Sequence, residues 1–126
     1  MRIQVADLFL DTIPFNGGTT ASDALWAGLP LLTCSGQTFA SRMAGSLLHA
    51  IGLPELITNS LADYEEKAVS LATNREELGS LRKRLAENRT RSPLFDTPRF
   101  VNALEDLLEA VALSPIYRCC PAKDCR

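Results

Sequence analysis

Residues 7–34 read DLFLDTIPFNGGTTASDALWAGLPLLTC. The stretch opens inside a short, mostly apolar run at residues 5–12 and closes on a second apolar run at residues 30–34. Runs of this length without polar alternation are typical of parallel strands that are buried on both faces. We therefore expect two strands of a parallel sheet here.

Between these strands the pattern predicts a loop followed by a helix. A turn-rich loop spans residues 13–18, and Thr20 and Asp23 have the Thr-x-x-acid spacing of a capping box. Alanine and leucine in the residues that follow favour a helix. Gly28 and then Pro30 predict its end, in the usual order of glycine cap and proline.

The same order recurs further along the chain. Residues 38–51 predict a second helix, which also ends in Gly-Leu-Pro, at residues 52–54, before another apolar segment. The apolar stripe expected on this helix comprises Phe39, Met43, Leu47 and Ala50. An alternation of strands and helices is typical of a doubly wound α/β domain.

Three further helices are predicted in the charge-rich second half. Ser60 and Asp63 have the spacing of a cap for a helix that ends near Thr73, and Asn74 and Glu77 have it for the next. We expect the second of these helices to face inward through Leu78, Leu81 and Leu85.

The last predicted helix follows a break at Ser92-Pro93, because the residue before proline avoids the helical region. Thr97-Pro98 starts it, with proline at its first position. Its apolar stripe comprises Phe100, Leu104, Leu107, Leu108 and Val111. Residues 114–126 show no period and predict an irregular tail.

Composition excludes several classes of protein. The chain has 126 residues, 46% hydrophobic and 22% charged, which suits one soluble globular domain. Its apolar runs are too short for a membrane span, and no signal-peptide core follows Met1, so we expect a cytoplasmic protein with free thiols and no membrane partner. The formal net charge of −2 argues against a nucleic-acid partner bound by bulk charge.

A parallel sheet of two or three strands leaves bare edges. We therefore expect the chain to be a piece of a larger domain, or to need a partner that covers the edge before Val5.

The candidate site comprises residues 16–20, Asn-Gly-Gly-Thr-Thr, together with Asp23. It lies between the carboxyl end of a strand and the start of a helix, where ligands gather in open α/β sheets. The helix dipole and the exposed amides favour an anion, and the hydroxyls of Thr19 and Thr20 can donate to phosphate oxygens. Asp23 can accept from two ribose hydroxyls. The alternative is a helix start without a ligand, in which Asp23 only completes the cap of Thr20.

Other residues give weaker signals. His49 is the only histidine and sits mid-helix, so no Ser-His-Asp or Cys-His pairing suggests itself. We expect Cys34, Trp26, Phe39 and Phe95 in the core. The basic residues Arg82, Lys83, Arg84, Arg89 and Arg91 predict a solvated face. The group formed by Cys119, Cys120, Asp124 and Cys125 has the spacing of no usual zinc site.

Several ordered motifs give the chain a family resemblance. Residues 7–30, the segments GQTFASR at 36–42 and GLPELI at 52–57, and SPLFDT at 92–97 resemble the carboxy-terminal catalytic region of the O-GlcNAc transferase/SPINDLY family. The resemblance spans residues 5–112. The Asn-Gly-Gly-Thr-Thr form is similar to that of bacterial-type members, whereas animal members commonly carry histidine in place of Gly18.

The resemblance implies a fold and an activity. The fold would be part of a Rossmann-like nucleotide-binding lobe of a GT-B glycosyltransferase, followed by C-terminal helices. Such enzymes transfer a sugar from a nucleotide sugar, typically UDP-GlcNAc, to Ser or Thr of proteins, with inversion and without a metal. Gly18, Thr19 and Thr20 would hold the diphosphate and Asp23 the ribose. UDP-glucose and GDP-fucose remain alternative donors.

The resemblance also implies what lies outside this chain. Residues 1–113 would be the C-terminal portion of the GT-B catalytic region, within the donor-binding lobe. The first lobe, and the tetratricopeptide repeats that usually precede the catalytic region, would lie outside these residues. We therefore expect the isolated chain to be inactive as a transferase, since both lobes hold the substrates in register. A non-catalytic nucleotide-binding or protein-assembly module is the alternative.

Overall fold

A computed structural model describes residues 5–114 of the chain. The strands are β1 (Phe9–Leu10), β2 (Leu31–Cys34) and β3 (Ile57–Thr58), and the α-helices are α1 (Thr19–Trp26), α2 (Met43–Ile51), α3 (Leu61–Thr73), α4 (Arg75–Arg89) and α5 (Thr97–Leu113). Short 3₁₀ turns cover Ala40–Arg42, Pro54–Leu56 and Pro93–Phe95. The chain divides into two compact units, Met1–Phe95 and Asp96–Arg126.

The three strands form one parallel sheet in the order β1-β2-β3. The helices between consecutive strands make the connections, so the predicted α/β class is confirmed. Strand β1 is shorter than the predicted residues 5–12. One reason is Pro30 on the neighbouring segment, whose carbonyl accepts the N–H of Phe9 at 2.8 Å but which has no N–H to extend the ladder toward residue 5.

Most of the predicted helix ends are confirmed. Gly28 and Gly52 take the left-handed conformation, with φ of 85° and 77°, as glycine caps commonly do. The side chain of Ser60 accepts the N–H of Asp63 at 3.1 Å. Likewise, the side chain of Asn74 caps α4. The cap of α5 is different from the prediction, because the side chain of Asp96 accepts there and proline follows at the second helical position.

Helix α2 starts later than predicted and buries a different face. Thr38 and Ser41 bond to each other through side chain and backbone, which holds residues 38–42 in a tight turn instead of an α-helix. Phe39 is therefore 82% exposed, and the expectation that it lies in the core is wrong. The residues of α2 that are buried are Ala44, Gly45, Leu48 and Ile51.

The core of the first unit lies between the sheet and the helices around it. Its members are mostly leucines, among them Leu25, Leu31, Leu32, Leu48, Leu71, Leu81 and Leu85. The inward face predicted for α4 is confirmed, since Leu78, Leu81 and Leu85 are all buried. Cys34 is buried as well, as expected for a small core residue.

The basic residues of α4 are only partly in contact with solvent, because three of its arginines bond to other segments of the chain. Arg82 donates to the carbonyl of Ala6 at 2.6 Å, and Arg84 pairs with Glu55. Arg89 donates to the carbonyl of Trp26 at 2.6 Å. Arginines on this helix therefore bond to the segments before β1 and before β3 and to the last residue of α1.

The expectation that Trp26 lies in the core is wrong, because this residue is 58% exposed. Its ring contacts the edge of Phe95, with centroids 4.9 Å apart, and the guanidinium of Arg89 lies 5.5 Å from its centroid. Trp26 is therefore a partly covered surface residue with an aromatic and a cationic neighbour.

The second unit contains α5, and the predicted helix is confirmed. The side chains of its apolar stripe, Phe100, Leu104, Leu107, Leu108 and Val111, are between 42% and 65% exposed. None of the helices between residues 5 and 114 combines the length and the apolar character needed to cross a membrane. Of the predicted tail at residues 114–126, only Ser114 lies within the described residues, so the boundary at 113/114 stays a prediction.

Removing a core side chain tests this packing. We expect Leu85→Ala, at a fully buried position, to lower the free energy of unfolding by about 2–5 kcal/mol through lost contacts and a cavity. The matched variant Leu108→Ala, on the exposed stripe, should change it by less than about 0.5 kcal/mol. Urea denaturation of the whole chain measures both, and equal losses would contradict the exposure of α5.

Candidate functional site

The candidate site lies on the loop between β1 and α1. Because the strands are parallel, this loop and the loop after β2 leave the same edge of the sheet. The two loops are joined where the N–H of Asn16 donates to the carbonyl of Ala40 at 3.2 Å. This carboxyl edge is where ligands bind in open α/β sheets.

Asp11 organises the loop. This residue follows β1 directly and is only 5% exposed. Its Oδ1 accepts the N–H of Thr12 at 2.9 Å and the N–H of Gly17 at 2.7 Å. Its Oδ2 accepts the hydroxyl of Thr33, in the middle of β2, at 2.6 Å. One buried carboxylate therefore joins the glycine loop to the central strand.

The two glycines of the loop have different roles. A Cβ at Gly17 would lie 2.7 Å from Oγ1 of Thr20 and 3.3 Å from Oδ1 of Asp11, so a side chain there would displace the Thr20 hydroxyl. A Cβ at Gly18 would meet nothing nearer than Cγ of Met43, at 4.0 Å. A side chain at position 18 would therefore fit without a clash.

The start of α1 differs from the prediction. The helix begins at Thr19, Gly18 is its N-cap, and no side chain caps it. The predicted capping box of Thr20 and Asp23 is therefore wrong. The bond between Gly17 and Asp11 turns the chain early, so Thr20 is already the second residue of the helix and lies too far in to cap it. The first N–H groups of α1 have no intrahelical acceptor, and they form the positive end of the helix dipole.

The structure places the four predicted site residues around this helix start. Gly18 is half-buried, and Thr19, Thr20 and Asp23 are exposed. Asp23 follows the two threonines by four and three residues, which puts the three side chains on one side of the helix. None of the ion pairs within the described residues involves Asp23. The candidate side chains are therefore open to a ligand.

Two residues of this region were not found from the sequence. Asp11 gave a usable signal, because an acidic residue directly after a buried strand stands at the carboxyl edge. Tyr64 gave none, since it lies on α3, 53 residues away from the Asp11 carbonyl that its hydroxyl bonds at 3.0 Å. Burial raises the pKa of Tyr64 above its ordinary value, and the charges of Asp11 and Cys34 raise it further.

A metal site is not assembled in the part of the chain that the structure describes, where no three His, Cys, Asp or Glu side chains are placed to share an ion. Cys119, Cys120 and Cys125 lie outside the described residues.

Comparison with known proteins agrees with the motif pattern. The model of glycosyl transferase family 41 matches residues 1–104. The chain belongs to this family. The resemblance to O-GlcNAc transferases and SPINDLY proteins is thereby confirmed.

Members of family 41 with curated names are similar to this chain. It is 51% identical over 105 residues to the "Probable UDP-N-acetylglucosamine--peptide N-acetylglucosaminyltransferase SEC" of Arabidopsis thaliana, covering 82% of the chain and 11% of the relative. It is 42% identical over 107 residues to the UDP-N-acetylglucosamine--peptide N-acetylglucosaminyltransferase of Caenorhabditis elegans, covering 85% and 9%. The chain thus spans about a tenth of the length of these relatives.

A solved structure from the same family has the same fold. An O-GlcNAc transferase mutant from Thermobaculum terrenum superposes with a TM-score of 0.76 at 35% identity, over 81% of this chain and 20% of that one. The α/β arrangement of strands, glycine loop and helices is therefore that of part of an O-GlcNAc transferase.

Variants of two aspartates distinguish a residue that holds the loop in place from a residue that is available to contact a ligand. We expect Asp11→Ala to lower the free energy of unfolding by about 2 kcal/mol or more, because the Gly17 N–H and the Thr33 hydroxyl lose their acceptor. Asp23→Ala should change it by less than about 0.5 kcal/mol, because its carboxylate caps no helix. Urea denaturation of both variants checks this, and a similar loss in Asp23→Ala would restore the capping interpretation.

The raised pKa of Tyr64 predicts a dependence of stability on pH. The unfolded chain releases this proton near pH 10, about the ordinary tyrosine value, whereas the folded chain keeps it to higher pH. The folded state then binds more protons, so the free energy of unfolding falls as pH rises above about 10. We expect this fall to be steeper in the wild-type chain than in Tyr64→Phe. If the free energies of unfolding of the two chains decrease in parallel from about pH 9 to 11, this prediction is wrong.

Proposed function

We propose that this chain supplies part of the nucleotide-sugar donor site of a protein O-glycosyltransferase with the GT-B fold. The intact enzyme would transfer a sugar, GlcNAc from UDP-GlcNAc, to Ser or Thr hydroxyls of proteins. The observation that carries the proposal is the uncapped start of α1, with Thr19, Thr20 and Asp23 exposed beside it. The names of the curated relatives, which specify UDP-N-acetylglucosamine and a peptide, support the donor and the acceptor.

The diphosphate of the donor would bind at the start of α1. Helix N-termini bind phosphate through free N–H groups and a favourable dipole. At Gly18 the contact comes from the backbone, which a ligand can approach closely because glycine has no side chain. The hydroxyls of Thr19 and Thr20 add two donors to the phosphate oxygens.

The ribose would bind at Asp23. A carboxylate accepts hydrogen bonds from two adjacent hydroxyls, and bonds to a charged group are stronger than those between neutral groups. This carboxylate is on the side of α1 that carries the two threonines, within one turn of the phosphate position. Because α1 has no side-chain cap, the carboxylate stays available to a ligand.

In the transfer step these residues would act on the leaving group. Negative charge grows on the diphosphate as its bond to the sugar breaks, and donors already fixed around it lower the barrier. No metal is required for this, and inversion follows from direct attack by the acceptor hydroxyl. We assign no general base within this chain. The isolated chain should therefore be inactive, because the other lobe is needed to hold donor and acceptor in register.

Binding of UDP and GDP to the purified chain tests the donor site. Isothermal calorimetry should show UDP binding that is about 10–100-fold weaker in Asp23→Ala, the loss expected when a hydrogen bond to a charged group is removed. Thr20→Val, which keeps the shape and removes the hydroxyl, should also weaken it. Asp63→Ala is the matched control, since Asp63 is another exposed aspartate near the start of a helix.

The same variants in a full-length family 41 enzyme decide the assignment. There Asp23→Ala and Thr20→Val should lower kcat/KM for the donor. Unchanged UDP affinity and unchanged kcat/KM in both variants would refute the site. A preference for GDP over UDP would replace the proposed base, and a chain that binds neither nucleotide but pairs with a protein would favour the assembly module.

A further inference from the structure

A cavity of about 220 Å³ lies at the same carboxyl edge of the sheet, between the loop that follows β2 and the outer side of α2. This volume is far above the roughly 10–15 Å³ that one water molecule needs. Its polar and charged lining comes from Ser35, Arg42, Ser46 and His49. The donor site proposed above uses none of these four residues.

The lining of this cavity has one sign of charge. Arg42 carries a full positive charge, His49 is the only histidine of the chain, and no residue that lines the cavity is acidic. None of the ion pairs among residues 5–114 includes Arg42. An arginine without a carboxylate partner among residues 5–114, beside an imidazole and two hydroxyls, is suited to bind an oxyanion.

The floor of the cavity depends on a glycine inside a helix. Gly45 is buried in α2, where glycine costs about 0.5–1 kcal/mol relative to alanine. A Cβ there would meet Cγ2 of Ile57 and Oγ of Ser35 at 3.8 Å, an ordinary contact distance. Alanine would therefore fit without a clash, and it would take up space in the cavity. Glycine at this position keeps that space open.

The cavity is next to the candidate donor site. Met43 lines it, and Cγ of the same side chain lies 4.0 Å from the Cβ position of Gly18. One methionine side chain thus separates the two. Phe39, which is exposed at the rim, adds an apolar surface to the entrance.

We propose that Arg42 and His49, with the hydroxyls of Ser35 and Ser46, form a subsite for a compact oxyanion, a carboxylate or a phosphate group. The proposal of an anion site stands on the cavity alone. Its use in catalysis rests on the proposed function: a carboxylate side chain of the acceptor protein, or a phosphate group on a second ligand, would be held one side chain away from the donor diphosphate.

The test uses the whole ¹⁵N-labelled chain and two probes, inorganic phosphate and acetate, at pH 7 and constant ionic strength. Saturable shifts are expected in the amides of residues 42–49 and in the His49 ring, with affinity on the order of millimolar. Arg42→Gln should weaken this binding about tenfold or more, because a charge-assisted hydrogen bond is lost. Arg91→Gln removes the same charge from another exposed arginine and should leave it unchanged.

Two more variants keep the result interpretable. Gly45→Ala should weaken binding by taking up part of the cavity, and His49→Gln should weaken it without changing the backbone, so the proposal can be tested even if one variant folds poorly. Shifts that do not saturate, or equal losses in Arg42→Gln and Arg91→Gln, would overturn the subsite. Tighter binding of inorganic phosphate would indicate a phosphate ligand, and tighter binding of acetate would indicate a carboxylate.

The amide shifts and the UDP affinity test the proposed subsite and the proposed donor site separately. Phosphate binding at the glycine loop would shift Gly18, Thr19 and Thr20, whereas binding in the cavity shifts residues of α2. Asp23→Ala should weaken UDP binding and leave the α2 shifts intact. Loss of the α2 shifts in Arg42→Gln with UDP affinity retained would confirm that the cavity is a second site.

Discussion

The buried carboxylate of Asp11 is the contact on which the candidate site depends. It accepts from the glycine loop through Gly17 and from the central strand through Thr33, so the loop and the sheet are fixed relative to each other. The phenol of Tyr64 reaches the carbonyl of the same residue from α3. A carboxylate without these donors would be costly to bury, and the loop without the carboxylate would leave a buried N–H unpaired. The buried carboxylate and the glycine loop therefore depend on each other, and their bond fixes the position at which α1 begins.

An uncapped helix start has a cost that the fold accepts. A serine, threonine or aspartate at the N-cap stabilises a helix by about 1 kcal/mol relative to residues that cannot cap, and by only about a few tenths of a kcal/mol relative to glycine. Here Gly18 occupies that position, while two threonines and an aspartate, which could have capped, lie inside the helix. Departures of this kind from local rules are expected at functional sites. The same holds for Gly45, where alanine, a better helix former, would narrow the cavity beside α2.

The order of elements could be predicted from the sequence because it depends on local signals. Gly28 and Gly52 mark helix ends through a conformation that other residues avoid, and Ser60 and Asn74 mark helix starts through bonds that span three residues. The region of the site was predicted for a similar reason, since a glycine loop between an apolar strand and a helix is visible along the chain. The identity of the donor and the role of each residue came from the family resemblance, and these assignments stay predictions.

Predictions failed where contacts distant in sequence, or competing local bonds, decide. The capping box at Thr20 has the right spacing, yet the bond of Gly17 to Asp11 places the helix start earlier. Phe39 fits an apolar stripe, yet the turn held by Thr38 and Ser41 directs it to solvent. Arg82 and Arg89 bond carbonyls 76 and 63 residues away, which no pattern in α4 reveals.

The distribution of charge is compatible with the proposed anionic ligand, although the chain is slightly acidic overall. A net charge of −2 would repel a nucleotide diphosphate only weakly at a distance, because solvent ions screen such fields within about 10 Å. Close to the carboxyl edge the local groups dominate: the positive end of α1, the guanidinium of Arg42, and hydroxyls that donate. Asp11 adds a negative charge there, but its oxygens are occupied by three donors of the chain itself. The exposed carboxylate of Asp23 lies about one helical turn from the proposed phosphate position, where the hydroxyl groups of a ligand rather than its charges would contact it.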